Sequence, residues 1–196
     1  MIQRSEYFRK VIHIFNLVIP FTYLFVLESR FQVLRILVPL TLFAIVIEYL
    51  RVRSIVIKKI FNNFLKSMLR LHETNGKFTG ATWVFIGSTL TILIFPKEIA
   101  VISLVYMSLG DATAGLVGKK FGKTKFYNKT IEGSIAGLIV CLLSGYFVHL
   151  TLPLVVVFSG AFAAMFIELM PISIDDNLSV PLFGGTIMVI VSTVVI

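Results

Sequence analysis

Seven apolar runs, each close to the length of one bilayer crossing, leave this chain few ways to fold. They cover roughly 11–27, 31–50, 79–96, 98–118, 130–150, 153–169 and 180–196. A hydrocarbon core of about 30 Å is crossed by about 20 helical residues. Inside lipid every backbone N–H and C=O must be satisfied within its own segment, so helices are the expected form. Of the 196 residues 57% are hydrophobic, against about 45–50% in a soluble domain, and the mean hydropathy is +0.95. The fold class expected is all-α: a polytopic integral membrane protein with about seven transmembrane helices, forming a single membrane-embedded domain over residues 1–196. The charged opening MIQRSEYFRK precedes an apolar run as in a signal peptide. No small-residue cleavage site follows, and further runs do, so a retained first helix is expected. Cys141 stands alone within a run, which excludes a disulfide framework.

Between the second and third runs lies SIVIKKIFNNFLKSMLRLHE, residues 54–73. Its apolar residues Ile57, Ile60, Phe61, Phe64, Leu65 and Met68 recur at three- and four-residue spacing, with lysines, asparagines and Arg70 opposite. This spacing predicts a basic amphipathic helix lying in the membrane interface. The net charge of +8 carries no aromatic–basic strand motif, so it does not point to nucleic acid; the expected surroundings are a lipid bilayer. Fifteen of the 18 lysines and arginines fall in the N-terminal tail, in 51–78 and in 119–129. With seven crossings these three segments share one side, which the positive-inside rule assigns to the cytoplasm.

That topology gathers the polar residues at one rim. Arg9, Lys10 and His13 enter the first helix, Thr79 opens the third, Asp111 lies near the end of the fourth and Glu132 near the start of the fifth. Glu168 ends the sixth, and Asp175, Asp176 and Asn177 precede the seventh. Ionisable groups at membrane depth are costly, about 2.5–3.5 kcal/mol each at the bilayer centre, so their retention marks function. One polar rim implies one active site on the cytoplasmic face.

The stretch SLGDATAGLVGKKFGKTKFYNKTIEGS, residues 108–134, is the chemical centre. Asp111, Gly115, Gly118 and Gly122 recur at helical spacing, so a continuing helix places them on one face. Missing side chains there admit either a bulky anion or another helix, and both readings stand. Gly133 and Gly137 favour helix packing. Lys119, Lys120, Lys123, Lys125 and Lys129 precede a helix N-terminus at 128–130, where unpaired N–H groups and the positive dipole end attract phosphate. Lys129 and Thr130 are placed to assist. GKKFGKT at 118–124 is not a P-loop, because its glycines are one residue too close. Asn128-Lys129-Thr130 matches a glycosylation sequon, which a cytoplasmic loop would not use. Arg9, Lys10 and His13 share a helix face and form a further anion-binding candidate. Magnesium takes one or two carboxylates plus substrate phosphates; Asp111 with Glu132, or with Asp175 or Asp176, would supply them. Glu168 reads equally as a helix-end ion pair.

The chain resembles the CTP-dependent lipid kinases (dolichol kinase, phytol kinase and the CTP-using diacylglycerol kinase), which are distantly similar to phosphatidate cytidylyltransferases. The motifs that carry the resemblance are RKVIH at 9–13, TGAT at 79–82, GDATAGLVGKKFGK at 110–123, KTIEGS at 129–134, and IEL with DDNLSVP within 167–181. Larger members carry further N-terminal spans, so the expectation is a catalytic core. The resemblance implies CTP as phosphoryl donor, Mg²⁺ or another divalent cation, and a membrane lipid alcohol as acceptor: a polyprenol, a phytol-like alcohol or diacylglycerol. On this basis Asp111 and Glu132 are expected to hold Mg²⁺ with Asp175 or Asp176 assisting. Lys119, Lys120, Lys123 and Lys129 are expected to neutralise the triphosphate, and Asp111 or Asp176 to accept the alcohol proton. The alternatives are a cytidylyltransferase acting on a lipid phosphate, with the same nucleotide and metal, and an anion transporter. A transporter would place polar residues at the bilayer midplane, whereas these sit at one rim.

Overall fold

The computed structural model describes residues 4–57, 59 and 77–195; the expected amphipathic helix at 54–73 lies mostly outside the described residues. Among the described residues the chain is helical apart from one small hairpin. The helices are α1 (Arg4–Phe15), α2 (Val18–Phe25), α3 (Arg30–Arg53), α4 (Gly80–Ile94), α5 (Lys97–Phe121), α6 (Ile131–Val148), α7 (Leu154–Leu169) and α8 (Asp176–Val195). Four of them, α3, α5, α6 and α8, are long and apolar enough to cross a membrane.

The other three apolar runs form shorter helices for local reasons. The run at 11–27 is divided, because α1 closes at Phe15 and α2 restarts at Val18 after a turn at Asn16–Leu17. The run at 79–96 is trimmed at both ends. Thr79 is the N-cap of α4, its hydroxyl accepting from Thr82 N, and Pro96 follows the C-cap Phe95. That leaves 15 residues, about 22 Å of helix. Likewise α7 runs for 16 residues after Pro153.

Helix α5 is the hub. It touches α1, α2, α4, α6, α7 and α8, and it is buried all round from Ile99 to Ser108. A helix apolar on every face is expected at such a centre. By contrast α3 is mostly exposed, as a lipid-facing helix would be. Helices α5 and α6 meet through glycines. A Cβ on Gly133 would meet the Ala114 carbonyl oxygen and Gly118 Cα, and one on Gly137 would meet Met165 Sδ and the Gly110 carbonyl oxygen.

The purely α expectation is corrected at 125–130. Strands β1 (Lys125–Phe126) and β2 (Lys129–Thr130) pair antiparallel, with Lys125 opposite Thr130 and Phe126 opposite Lys129. The link is Tyr127–Asn128, with Tyr127 held at φ 52°, a left-handed conformation that residues other than Gly and Asn seldom adopt. The hairpin leads directly into α6, whose N-cap is Thr130.

The two ends of the bundle differ in kind. At one end Arg30 donates to the carbonyls of Leu93 and Phe95, and Lys97 to those of Leu27 and Glu28. These cations tie loops together by capping helix carbonyls. At the other end the carboxylates collect.

Candidate active site

Four elements build the centre, and three of them, all helices, bring three carboxylates together. Asp111 comes from the C-terminal part of α5, Glu168 from the last turn of α7 and Asp176 from the first turn of α8. One oxygen of each lies within 4.8 Å of the others. The fourth element, the hairpin, contributes Lys129, whose Nζ lies 3.0 Å from both Asp176 carboxylate oxygens and 3.4 Å from Glu168 Oε1. It also donates to the Glu168 carbonyl oxygen. Ser134 Oγ donates to Glu168 Oε2 at 2.9 Å, fixing that carboxylate from α6.

The opposite flank is built by α1. Lys10 Nζ donates to Asp111 Oδ2 at 2.8 Å and to the Asp111 carbonyl oxygen at 3.0 Å. His13 Nδ1 lies 3.2 Å from the same Oδ2. Lys10 and His13, read from sequence as a cradle for a foreign anion, thus engage the protein's own Asp111; the side chain of Arg9 lies outside the described residues. The room beside Gly115 is taken by Lys10, whose Cε and Nζ a Cβ there would meet at 2.5 and 2.6 Å.

The remaining residues singled out by sequence fall around this centre. Gly118 and Gly122 lie against Thr130. Gly115, Gly118, Lys119, Lys129 and Thr130 line a small cavity of about 130 Å³ that Glu168 closes. Lys120 is exposed and stands over the Phe121 ring, and Lys123 is exposed. Thr130 Oγ1 accepts from Gly133 N, so one orphan donor of the α6 N-terminus is already used. Asp175 Oδ1 accepts from Asn177 N and Nδ2, at 3.0 and 2.8 Å, and so caps the start of α8. Asn177 Nδ2 also reaches the Gly80 carbonyl oxygen at 3.4 Å.

Glu132 does not join the three carboxylates. Its oxygens accept from Thr124 N at 2.9 and 3.2 Å, closing the loop ahead of the hairpin. The reason is helical phase. Gly133, Ser134 and Gly137 bury the inward face of α6, and Glu132 precedes Gly133 by one residue, about 100° of rotation. Glu168 takes the place in the cluster expected for Glu132.

Two clusters went unread in the sequence. Glu48, 2% exposed, is paired with Arg51 at 2.6 Å and accepts from Thr79 N and Thr82 Oγ1. Arg51 in turn donates to the Lys77 carbonyl oxygen. This is why Thr79 sits at the polar end. The signal was available, since Glu48 is the one acid within the 31–50 run. The second is aromatic. Phe78 with Trp83 and Phe126 with Tyr127 form two ring pairs lining a cleft of about 780 Å³ that reaches Lys129 and Asp176.

The three carboxylates suit a divalent cation, since hard cations take carboxylate oxygens and such a cation usually completes its sphere with water and substrate phosphate. Lys10 and Lys129 supply two positive charges beside the three carboxylates. The cleft thus opens beside Lys129 and Asp176. A model described as cytidylyltransferase family matches residues 1–175. The chain belongs to the cytidylyltransferase family. The match takes in Asp111, Lys129 and Glu168 and ends one residue before Asp176. An uncharacterized protein of Rickettsia prowazekii is 29% identical over 182 residues, covering 89% of this chain and 88% of that one. The CTP-dependent diacylglycerol kinase 1 of Schizosaccharomyces pombe is 28% identical over 153 residues, 68% of this chain and 69% of its own. A probable chloroplastic phytol kinase 1 of Glycine max is 32% identical over 141 residues, and the chain spans 45% of its length. No solved structure matches.

Proposed function

We propose that this protein is a CTP-dependent lipid kinase that transfers the γ-phosphoryl group of CTP to the hydroxyl of a membrane lipid alcohol, in one catalytic unit spanning 1–196. The observation that carries the reading is the meeting of Asp111, Glu168 and Asp176 with Lys129 and Lys10 at one end of the helices. The names of the relatives support the donor and the acceptor class.

Phosphoryl transfer asks a protein for positioning and charge neutralisation more than for covalent chemistry. Asp111, Glu168 and Asp176 would hold the divalent cation, which when bound supplies positive charge to the phosphates. Lys129 lines the cleft together with Asp176, and Lys119 lines the adjoining cavity; both would meet a triphosphate. The cleft's paired aromatics offer flat apolar faces to a nucleobase. Asp111 lies on the α1 side, away from the cleft, and accepts the proton of the alcohol. His13 and Lys10 hold its carboxylate in place. The new O–P bond forms as the bond between the γ-phosphorus and the bridging oxygen breaks, leaving CDP.

A second reading is favoured by the family match itself: a cytidylyltransferase, in which a lipid phosphate displaces pyrophosphate from CTP. The products decide. Purified protein in detergent, given labelled CTP and a panel of lipid alcohols, is expected to form CDP in step with a lipid phosphate. Pyrophosphate release with a lipid phosphate, and no CDP with any alcohol, would replace the kinase reading. In the membrane we place this end on the cytoplasmic face, the shorter helices completing about seven crossings. A cysteine at position 124 is expected to resist labelling from outside intact cells, and labelling there would refute the orientation.

A further inference from the structure

A further cavity of about 310 Å³ shares no lining residue with the aromatic cleft. It runs between the α1–α2 break, α3 and α4, and Ile19, Val33, Leu37, Leu40 and Phe85 line it. Its wall is almost wholly apolar, in contrast to the mixed wall of the cleft. Its lining passes from Asn16 through Val18, Ile19 and Thr22 of α2 to Leu27. Leu27 belongs to the end tied by Lys97. The cavity therefore runs along α2 from the α1–α2 break toward the far end of the bundle. Its near end starts one turn beyond His13, which touches Asp111.

That near end holds an unmet polar group. Asn16 Nδ2 is buried and makes no hydrogen bond. Buried amide donors are nearly always paired in native proteins, so a donor left over at the mouth of an apolar crevice calls for an acceptor from a ligand. The shape requires that ligand to be a hydrocarbon chain ending in an oxygen. The acyl chain of a bulk phospholipid fills the apolar part but brings no such oxygen to that depth.

We propose that the α2–α3–α4 crevice seats the hydrocarbon tail of the acceptor alcohol, with Asn16 as a positioning residue for its oxygen beside His13 and Asp111. This rests on the kinase reading and goes beyond it, since the tail would be held by the protein rather than left in bulk lipid. It also separates the two substrates, with the nucleotide entering from the aromatic cleft and the alcohol from the lipid side.

The test is photolabelling of the full chain in phosphatidylcholine nanodiscs with a long-chain primary alcohol carrying a mid-chain diazirine. Label is expected on the α2, α3 and α4 residues of the crevice, and an excess of unlabelled long-chain alcohol should displace it. Leu40→Trp, which fills the crevice from its lipid-facing rim, should cut labelling about tenfold. Ile139→Trp, on the exposed side of α6, should not. Asn16→Leu should weaken competition by the alcohol about tenfold relative to competition by an alkane of equal length. Label spread over other helices, labelling unaltered by Leu40→Trp, or equal displacement by alcohol and alkane in the unaltered protein would overturn the proposal. Labelling needs neither CTP nor turnover. Absence of CDP formation would thus refute the kinase reading alone, whereas scattered label in an enzyme that makes CDP would refute the crevice alone.

Discussion

Asp111→Asn and Lys10→Met remove the two halves of one buried ion pair, yet their effects are expected to be opposite in kind. The pair is 2.8 Å long, with side chains 9% and 10% exposed. At an effective dielectric of 20, attraction across that distance is about 6 kcal/mol. Asp111 also faces Glu168 and Asp176 within 4.8 Å, and each such like-charge contact costs at least about 3.5 kcal/mol on the same scale. The repulsions therefore roughly offset the attraction. Asp111→Asn, whose carboxamide can still accept from Lys10, should change stability by no more than about 1 kcal/mol. Lys10→Met leaves three carboxylates with one fewer cation and should cost about 3–5 kcal/mol, the range for stripping a buried charge of its partner. Turnover should run the other way. Losing Asp111 should lower kcat by about 10²–10³, comparable to removing one group aimed at transition-state charge. The assays are SDS-titrated unfolding in mixed micelles and CDP release from CTP with a lipid alcohol. An Asp111→Asn protein that is less stable than Lys10→Met, or that turns over normally with unchanged dependence on the divalent cation, would refute this electrostatic account and remove Asp111 from the site.

Glu168→Gln should abolish CDP release, while Glu132→Gln should reduce it less than about tenfold, since an exposed carboxylate that closes a loop is worth little more than its hydrogen bonds; equal losses in the same assay would restore Glu132 to the centre. Gly133→Ala should destabilise by about 1–3 kcal/mol, because its Cβ would press on the Ala114 carbonyl and Gly118 of α5. SDS-titrated unfolding measures this, and a neutral result would show that α5 and α6 can part without penalty.

The helical character of this chain was legible because apolar runs leave the backbone no other partner. Their interruptions were less so. Asn16 sits inside an apolar run, and nothing in the period of that run announces that the chain turns there. The hairpin at 125–130 is only two residues per strand, too short for alternation to register, and Tyr127 takes a turn conformation usually signalled by Gly or Asn. Glu132 was a nearer miss. Once Gly133 and Gly137 were read as a packing face, helical phase already placed the residue before them well off that face. Glu168 had the competing reading of a helix-end ion pair, and that pair is present, with Lys129, inside the carboxylate cluster. The contact of Lys10 and His13 with Asp111 spans about a hundred residues, and sequence order contains no record of such a distance. What it did contain was charge complementarity. A Lys–His face on one helix and a lone Asp on another, all at one bilayer level, cannot each be buried alone. An anion site reserved for substrate would have left Asp111 without a cation, so pairing within the protein was the cheaper arrangement. On the reading proposed above, substrate phosphate would enter where the carboxylates face the cleft, on the Lys129 side, and α1 would hold the acceptor's side of the reaction.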